Sequence, residues 1–171
     1  MPKRRKKKLV RVIHQSVGPL PLRLAAQYAS HLLVFSDASQ KRHGGLAVVL
    51  FDSPDSEARV VTQTVPIIGS NELELQAAVF ALGEAQRQFP ERRLALFSDN
   101  QDAVIRLRQF QGAGTGSDPV LSQMLAVQGI VSNLVNAEIC WIKGHATCRG
   151  NTLADQYAGQ AASEPPTGCL A

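Results

Sequence analysis

The sequence predicts an α/β domain on a five-stranded mixed sheet, an antiparallel meander followed by parallel strands, with helices on both faces. Three observations lead there. Residues 32–65 contain three strand-like apolar runs joined by short polar loops, the pattern of a meander. After Pro66 the apolar spacing becomes helical, and helical and strand-like segments then alternate to residue 162, as they do where helices cover a sheet. Two of the strand-like runs, Leu32-Leu33-Val34-Phe35-Ser36-Asp37 and Leu94-Ala95-Leu96-Phe97-Ser98-Asp99, are near copies that each end on an aspartate.

The elements follow in order. Val17-Gly18-Pro19-Leu20-Pro21 interrupts regular structure, and residues 22–30 suit a short helix. The first strand is expected over 32–36, with a polar loop over 39–43 and then Gly44-Gly45. A second strand over 46–51 leads to the turn Asp52-Ser53-Pro54-Asp55. A third over 58–65 is ended by Pro66. Ser70-Asn71 starts a helix in which Leu75, Ala78, Val79 and Leu82 recur at helical spacing as far as Phe89, and Pro90 stops it. The fourth strand covers 94–98. Asn100 is placed to cap a helix over 101–110. A glycine-rich flexible loop over 112–117, a helix over 119–134, the fifth strand over 137–142, a loop over 143–150 and a closing helix over 151–162 complete the chain. This organisation sets off a basic, partly disordered extension (1–31), one folded domain (32–162) and a flexible tail (163–171).

With 171 residues, the chain is long enough for one domain with a sizeable core and too short for two ordinary ones. Its 44 % hydrophobic content is that of a folded soluble protein. No apolar run has the length to span a bilayer, and the start lacks a signal-peptide core. The expectation is an intracellular, cytoplasmic monomer without membrane contact. Six of the 18 basic residues lie in Lys3-Arg4-Arg5-Lys6-Lys7-Lys8, which leaves 12 basic against 14 acidic residues in 9–171. The folded body is therefore slightly acidic, and any basic contact with nucleic acid belongs to the tail. Such a run reads as a phosphate-binding segment, as a nuclear address in a eukaryotic cell, or as a solubilising terminus. Cys140, Cys148 and Cys169 share no Cys-x-x-Cys spacing, and reduced thiols are the default reading.

Burying an unpaired carboxylate is expensive, so Asp37 and Asp99 at the ends of buried strands need a reason. The carboxyl ends of central strands are where open α/β sheets place their sites. Glu74 and Asp155 lie early in their helices, where each alone is explained by the helix N-terminus. Glu72 and Glu74 point to roughly opposite sides of one helix. The apolar stripe borders Glu74 better, and spacing alone leaves the choice open. Four carboxylates converging on one sheet edge would repel unless cations neutralised them. Oxygen-only ligands favour a hard ion such as Mg²⁺. Two such ions about 4 Å apart suit phosphodiester hydrolysis, activating a water and stabilising the leaving oxygen.

Four segments resemble the motifs of type 1 ribonuclease H and of retroelement RNase H domains, in the family's order. They are Phe35-Ser36-Asp37-Ala38-Ser39, Asn71-Glu72-Leu73-Glu74-Leu75, Phe97-Ser98-Asp99-Asn100-Gln101, and Ile142-Lys143-Gly144-His145-Ala146 with Gly150-Asn151-x-x-Ala154-Asp155. The resemblance spans about 32–162 and implies an RNase H-like fold and hydrolysis of the RNA strand of RNA/DNA hybrids. By motif matching it selects Glu74 over Glu72. It implies that Asp37, Glu74, Asp99 and Asp155 bind two Mg²⁺ ions, with Mn²⁺ as a substitute. It gives His145 a role in proton transfer or product release. Asn71 and Gln101 would contact the RNA strand in the minor groove, where the 2′-OH marks RNA, and Ser39, Lys143 and Asn151 would also touch substrate.

The chain departs from the family in three places. The loop after Asp37 is shorter and less glycine-rich than in many cellular members. Asn100 stands where Ser is commoner. The Trp- and Lys-rich protrusion that grips the DNA strand in some bacterial enzymes is replaced by a glycine-rich loop with Arg106 and Arg108. Two other functions remain open at this stage: a nuclease of the same fold acting on DNA ends or junctions, and a hybrid-binding module with little turnover. Ser39 argues against the first, because the common exonuclease pattern has an acid at that position.

Overall fold

Alternate residues of the first strand, β1 (Leu32–Gln40), enter different cores. Leu32 and Val34 join one apolar cluster, and Leu33 and Phe35 join a second. Each fully buried side chain of this size contributes about 1.5–3 kcal/mol, so burial on both faces holds a strand that also contains Ser36 and Asp37.

The computed structural model describes residues 18–113, 116–130, 134–144 and 148–164. After the short helix α1 (Leu22–Ala25) come β1, β2 (Gly44–Phe51), β3 (Arg59–Val65), α2 (Ser70–Gln88) and β4 (Leu94–Ser98). Then follow α3 (Gln101–Ala113), α4 (Pro119–Gln128), a 3-10 turn (Leu134–Asn136), β5 (Glu138–Trp141) and α5 (Arg149–Ser163). The strand order is β3-β2-β1-β4-β5. β1–β2 and β2–β3 are antiparallel, and β1–β4 and β4–β5 are parallel, so the mixed five-stranded sheet expected from the sequence is the one observed. Among the described residues no helix is long and apolar enough to cross a membrane.

One core fills the space between the sheet and α2, α3 and α4, through Leu73, Ala77, Phe80, Leu107 and Leu121 among others. On the opposite face α5 lies across β1, β2 and β3 and presents Ala154, Ala158, Ala161 and Ala162, all buried. Small residues let its backbone come close. A Cβ at Gly45 of β2 would run into the backbone of Ala158 and Ala162, and one at Gly150 would enter the Phe35 ring. Thr64 Oγ1 donates to the Ala161 carbonyl at 2.8 Å and ties α5 to the sheet edge. Leu20 and Tyr28, in the segment read as an extension, are buried in this second core.

Several boundaries differ from expectation. β1 runs to Gln40 because its antiparallel pairing with β2 continues as far as Gln40↔Gly44. Ser39 is therefore a strand residue, and Asp37 lies inside β1 rather than at its end. α4 stops at Gln128, six residues early, because Gly129 adopts a left-handed φ of 69°, a conformation glycine enters at little cost. α2 begins at Ser70 after Gly69, whose φ is 104°. Asn71 is thus inside the first turn. α3 continues to Ala113, and α5 starts at Arg149. The basic run over 3–8 and most of the C-terminal tail lie outside the described residues.

The close approach at Gly45 gives a direct check on this packing. Gly45→Val is expected to destabilise the protein by about 3 kcal/mol or more, the upper range for overpacking against groups that cannot yield. A melting temperature lowered by about 6–12 °C, at the typical ~2–4 °C per kcal/mol for this size, would be the readout.

Candidate active site

Parallel register brings two aspartates together. β1 and β4 pair from Leu32↔Leu94 to Phe35↔Phe97, and two residues further along each chain stand Asp37 and Asp99. Helix α2 packs over β1 and β2, and its first turns bring Glu74 to the same corner. Carboxylate oxygens of Asp37, Glu74 and Asp99 lie within 4.8 Å of one another. Asp37 is only 4 % exposed. Glu74 and Asp99 are half-buried.

The electrostatics are those of a site built for positive charge. Burial pushes the Asp37 carboxyl up to about 7, with the Asp99 charge adding to the effect and Asp155 contributing less. Burial likewise pushes Glu74 up to about 9, reinforced by the charges of Asp37 and then Asp99. Desolvation and like charge act in the same direction on a carboxylate. The Ala38 N–H, which reaches Asp37 Oδ1 at 2.9 Å, opposes them. Glu74 Oε2 is buried without a hydrogen-bond partner, an arrangement a directly bound cation would relieve. Three hard oxygen donors from β1, α2 and the β4–α3 junction fit a divalent ion of the Mg²⁺ or Mn²⁺ class.

Asp99 is held from several sides. The Trp141 indole N–H donates to the Asp99 carbonyl at 3.1 Å, and the Asn100 N–H donates to Ser98 Oγ at 3.2 Å. Gly144 lies beside Asp99, where a Cβ would stand in ordinary contact, 3.5 Å from Asp99 Oδ2. Asn100 Oδ1 accepts the Ala103 N–H at 2.8 Å, the cap expected for α3. Sequence reasoning passed over Trp141, although it is the single tryptophan and directly precedes the last motif.

The other expected site residues spread around this cluster. Asp155 is exposed on α5. Ser39 and Lys41 lie with it, Gln156 and Gly159 along a polar groove between the β1–β2 hairpin and α5. Asn71 and Gln101 are exposed at the starts of α2 and α3, and Lys143 is exposed after β5. Asn151, expected to touch substrate, is 3 % exposed in the first turn of α5; its side chain has no surface to offer a duplex and belongs to the packing of that helix. His145 lies outside the described residues. Glu72 pairs with Arg106 at 2.7 Å, so the geometry separates it from Glu74 independently of any motif. Arg106 also meets Asp118 through two nitrogens, Nε at 2.8 Å and Nη2 at 3.1 Å, and Arg108 Nε donates to the Ile139 carbonyl at 2.9 Å. Both arginines expected near the DNA strand are thus engaged within the protein.

A family model described as RNase H matches residues 29–163. The chain belongs to the RNase H family. Membership makes it a ribonuclease, a hydrolase of phosphodiester bonds. Solved structures share its fold at low identity. The RNase H1 of the halophilic archaeon Halobacterium salinarum NRC-1 is 21 % identical with a TM-score of 0.57, covering 77 % of this chain and 96 % of that one. The N-terminal RNase H domain of Rv2228c from Mycobacterium tuberculosis is 16 % identical with a TM-score of 0.59, covering 78 % and 94 %. LC11-RNase H1 in complex with RNA/DNA hybrid is 17 % identical with a TM-score of 0.56, covering 77 % and 99 %. No curated protein matches the chain.

The raised carboxyls set the sign of a pH effect. In the unfolded chain these groups lose their protons near pH ~4, whereas the metal-free native state keeps them to higher pH. The native state therefore holds more protons over that interval, and its stability falls as pH rises. In chelator, Asp37→Asn is expected to raise the melting temperature by about 2–8 °C, equivalent to about 1–2 kcal/mol for this size. The gain should be larger at pH ~8 than at pH ~5. A thermal melt series without divalent metal checks both points.

Proposed function

We propose that this protein is an endoribonuclease that hydrolyses the RNA strand of RNA/DNA hybrids with two bound Mg²⁺ ions, for which Mn²⁺ can substitute. The observation that supports this most is the cluster of buried Asp37 with half-buried Glu74 and Asp99, in a chain of the RNase H family. The hybrid seen with LC11-RNase H1 supports the same substrate.

In this reading Asp37, Glu74 and Asp99 hold the ions, with Asp155 joining from the exposed rim of α5. Bound there, the ions supply an activated water and stabilise the leaving oxygen. Asp37 and Glu74 act as carboxylates, losing the proton that burial favours once positive charge is present. His145 transfers a proton or assists product release. Asn71 and Gln101, on adjacent helix starts, face the minor groove, where the 2′-OH distinguishes RNA. Lys143 and Ser39 flank the path of the RNA strand. Because Arg106 and Arg108 are already engaged, the run Lys3–Lys8 supplies phosphate contacts instead.

Two measurements test the proposal. Asp99→Asn should lower hybrid cleavage in Mg²⁺ by more than about 100-fold, beyond the 10–100-fold typical of residues that only support a metal ligand. Intact hybrid after long incubation with folded wild-type protein and metal would contradict the reading. Removing residues 1–8 should weaken hybrid binding and flatten its salt dependence by about one logarithmic unit per lost phosphate contact, as measured by fluorescence anisotropy across salt concentrations.

A further inference from the structure

We infer that Asn100 is a specificity-determining positioning residue, which holds the Asn71 side chain with its NH₂ end turned toward the minor groove. The inference rests on the hybrid-nuclease reading above and concerns how that same site recognises its substrate.

The argument follows a chain of donors and acceptors that begins at an unambiguous atom. The backbone N–H of Ala103 can only donate, and it meets Asn100 Oδ1 at 2.8 Å. That bond assigns the acceptor end of the Asn100 amide, so the opposite end is Nδ2, a donor. Nδ2 reaches the Asn71 side chain at 3.3 Å. Two NH₂ groups cannot pair, so the Asn71 atom on this side is its Oδ1. The remaining end of Asn71 is then its own Nδ2, which carries donors, and Asn71 is exposed at the start of α2. One backbone cap thus determines the orientation of two amides in succession.

The consequence is chemical. An outward NH₂ suits acceptors, and the minor groove offers purine N3, pyrimidine O2 and the 2′-oxygen. An outward carbonyl would instead suit the guanine amino group. The same bond joins α2 to the β4–α3 corner. Asn71 lies one helical turn before Glu74, and Asn100 directly follows Asp99. A side chain that caps α3 but is shorter than asparagine, such as serine, would leave Asn71 to rotate between both presentations.

Asn100→Ser keeps a cap acceptor and removes the Nδ2 donor, its hydroxyl sitting on a shorter side chain. Its steady-state kinetics are compared with wild type on a plain RNA/DNA hybrid and on one carrying 3-deazapurines, which lack the N3 acceptor. Wild type should show KM raised by about 3–10-fold on the deaza hybrid, the effect of one neutral hydrogen bond, with kcat little changed. Asn100→Ser should show KM raised by a similar factor on the plain hybrid and little further loss on the deaza hybrid. Mn²⁺ affinity, followed by calorimetry, should stay at the wild-type value. In free protein, the Asn71 side-chain NH₂ resonances should shift in Asn100→Ser. Wild type indifferent to the deaza substitution, or Asn100→Ser with wild-type KM and unshifted Asn71 resonances, overturns this inference and leaves the nuclease reading intact. Failure of wild type to cleave hybrid overturns both.

Discussion

Three carboxyl groups share one partly dry corner, and their mutual repulsion is the constraint that the rest of the structure works against. Asp37 is pushed toward the neutral form by burial and the charge of Asp99, and Glu74 by burial and the charges of Asp37 and Asp99. A lone surface acid would turn toward water. Here the parallel register of β1 and β4 holds Asp37 beside Asp99, and the packing of α2 on the sheet keeps Glu74 above them. The stability of two apolar cores offsets this local cost. That is the expected relation between a metal site and its scaffold, because geometry assembled before the ion arrives need not be assembled by it.

The two faces of the sheet contribute differently. On one, larger side chains from α2, α3 and α4 interdigitate with Leu32, Val34, Leu46, Val48 and Leu96. Arg106 binds these helices together through Glu72 and Asp118, which steadies the start of α2 near Glu74. On the other, the alanine face of α5 lies almost on the backbone of β2 at Gly45. Close packing there brings Asp155 near enough for its charge to reach Asp37. Phe35, stacked on Phe97 at 5.2 Å between ring centroids, lies with it two residues before the two aspartates, in the second core. The site is thus fixed from below by aromatic packing and from the sides by two helices.

Much of this was legible in the sequence because it is encoded locally. The runs leading to Asp37 and Asp99 are apolar as far as Phe35 and Phe97 and read as buried strands, and the change of apolar period after Pro66 marks the change from meander to helices. The carboxylate cluster could be anticipated once four motifs stood in order. What escaped depends on partners distant in the chain. β1 continues past Asp37 only because β2 pairs with it, which no property of residues 38–40 announces. Asn151 looks like a polar residue at a helix start, yet the closeness of α5 to the sheet buries it. The helix expected over 119–134 ends at Gln128 because Gly129, set in an apolar stretch, takes a left-handed conformation. The Asn100 side chain reads as a cap from its position alone, whereas its second bond, to a residue 29 positions earlier, depends on the fold.

The central claim is that this corner is a divalent metal site assembled by register and helix packing. Crystals soaked in Mn²⁺, with anomalous scattering recorded at the manganese edge, test it most directly. The account predicts an anomalous peak coordinated by Asp37 together with Glu74 or Asp99, at about 2.0–2.3 Å from their oxygens. A well-ordered cluster that stays empty at millimolar Mn²⁺, or a peak bound elsewhere with the three carboxyls turned apart, would contradict it.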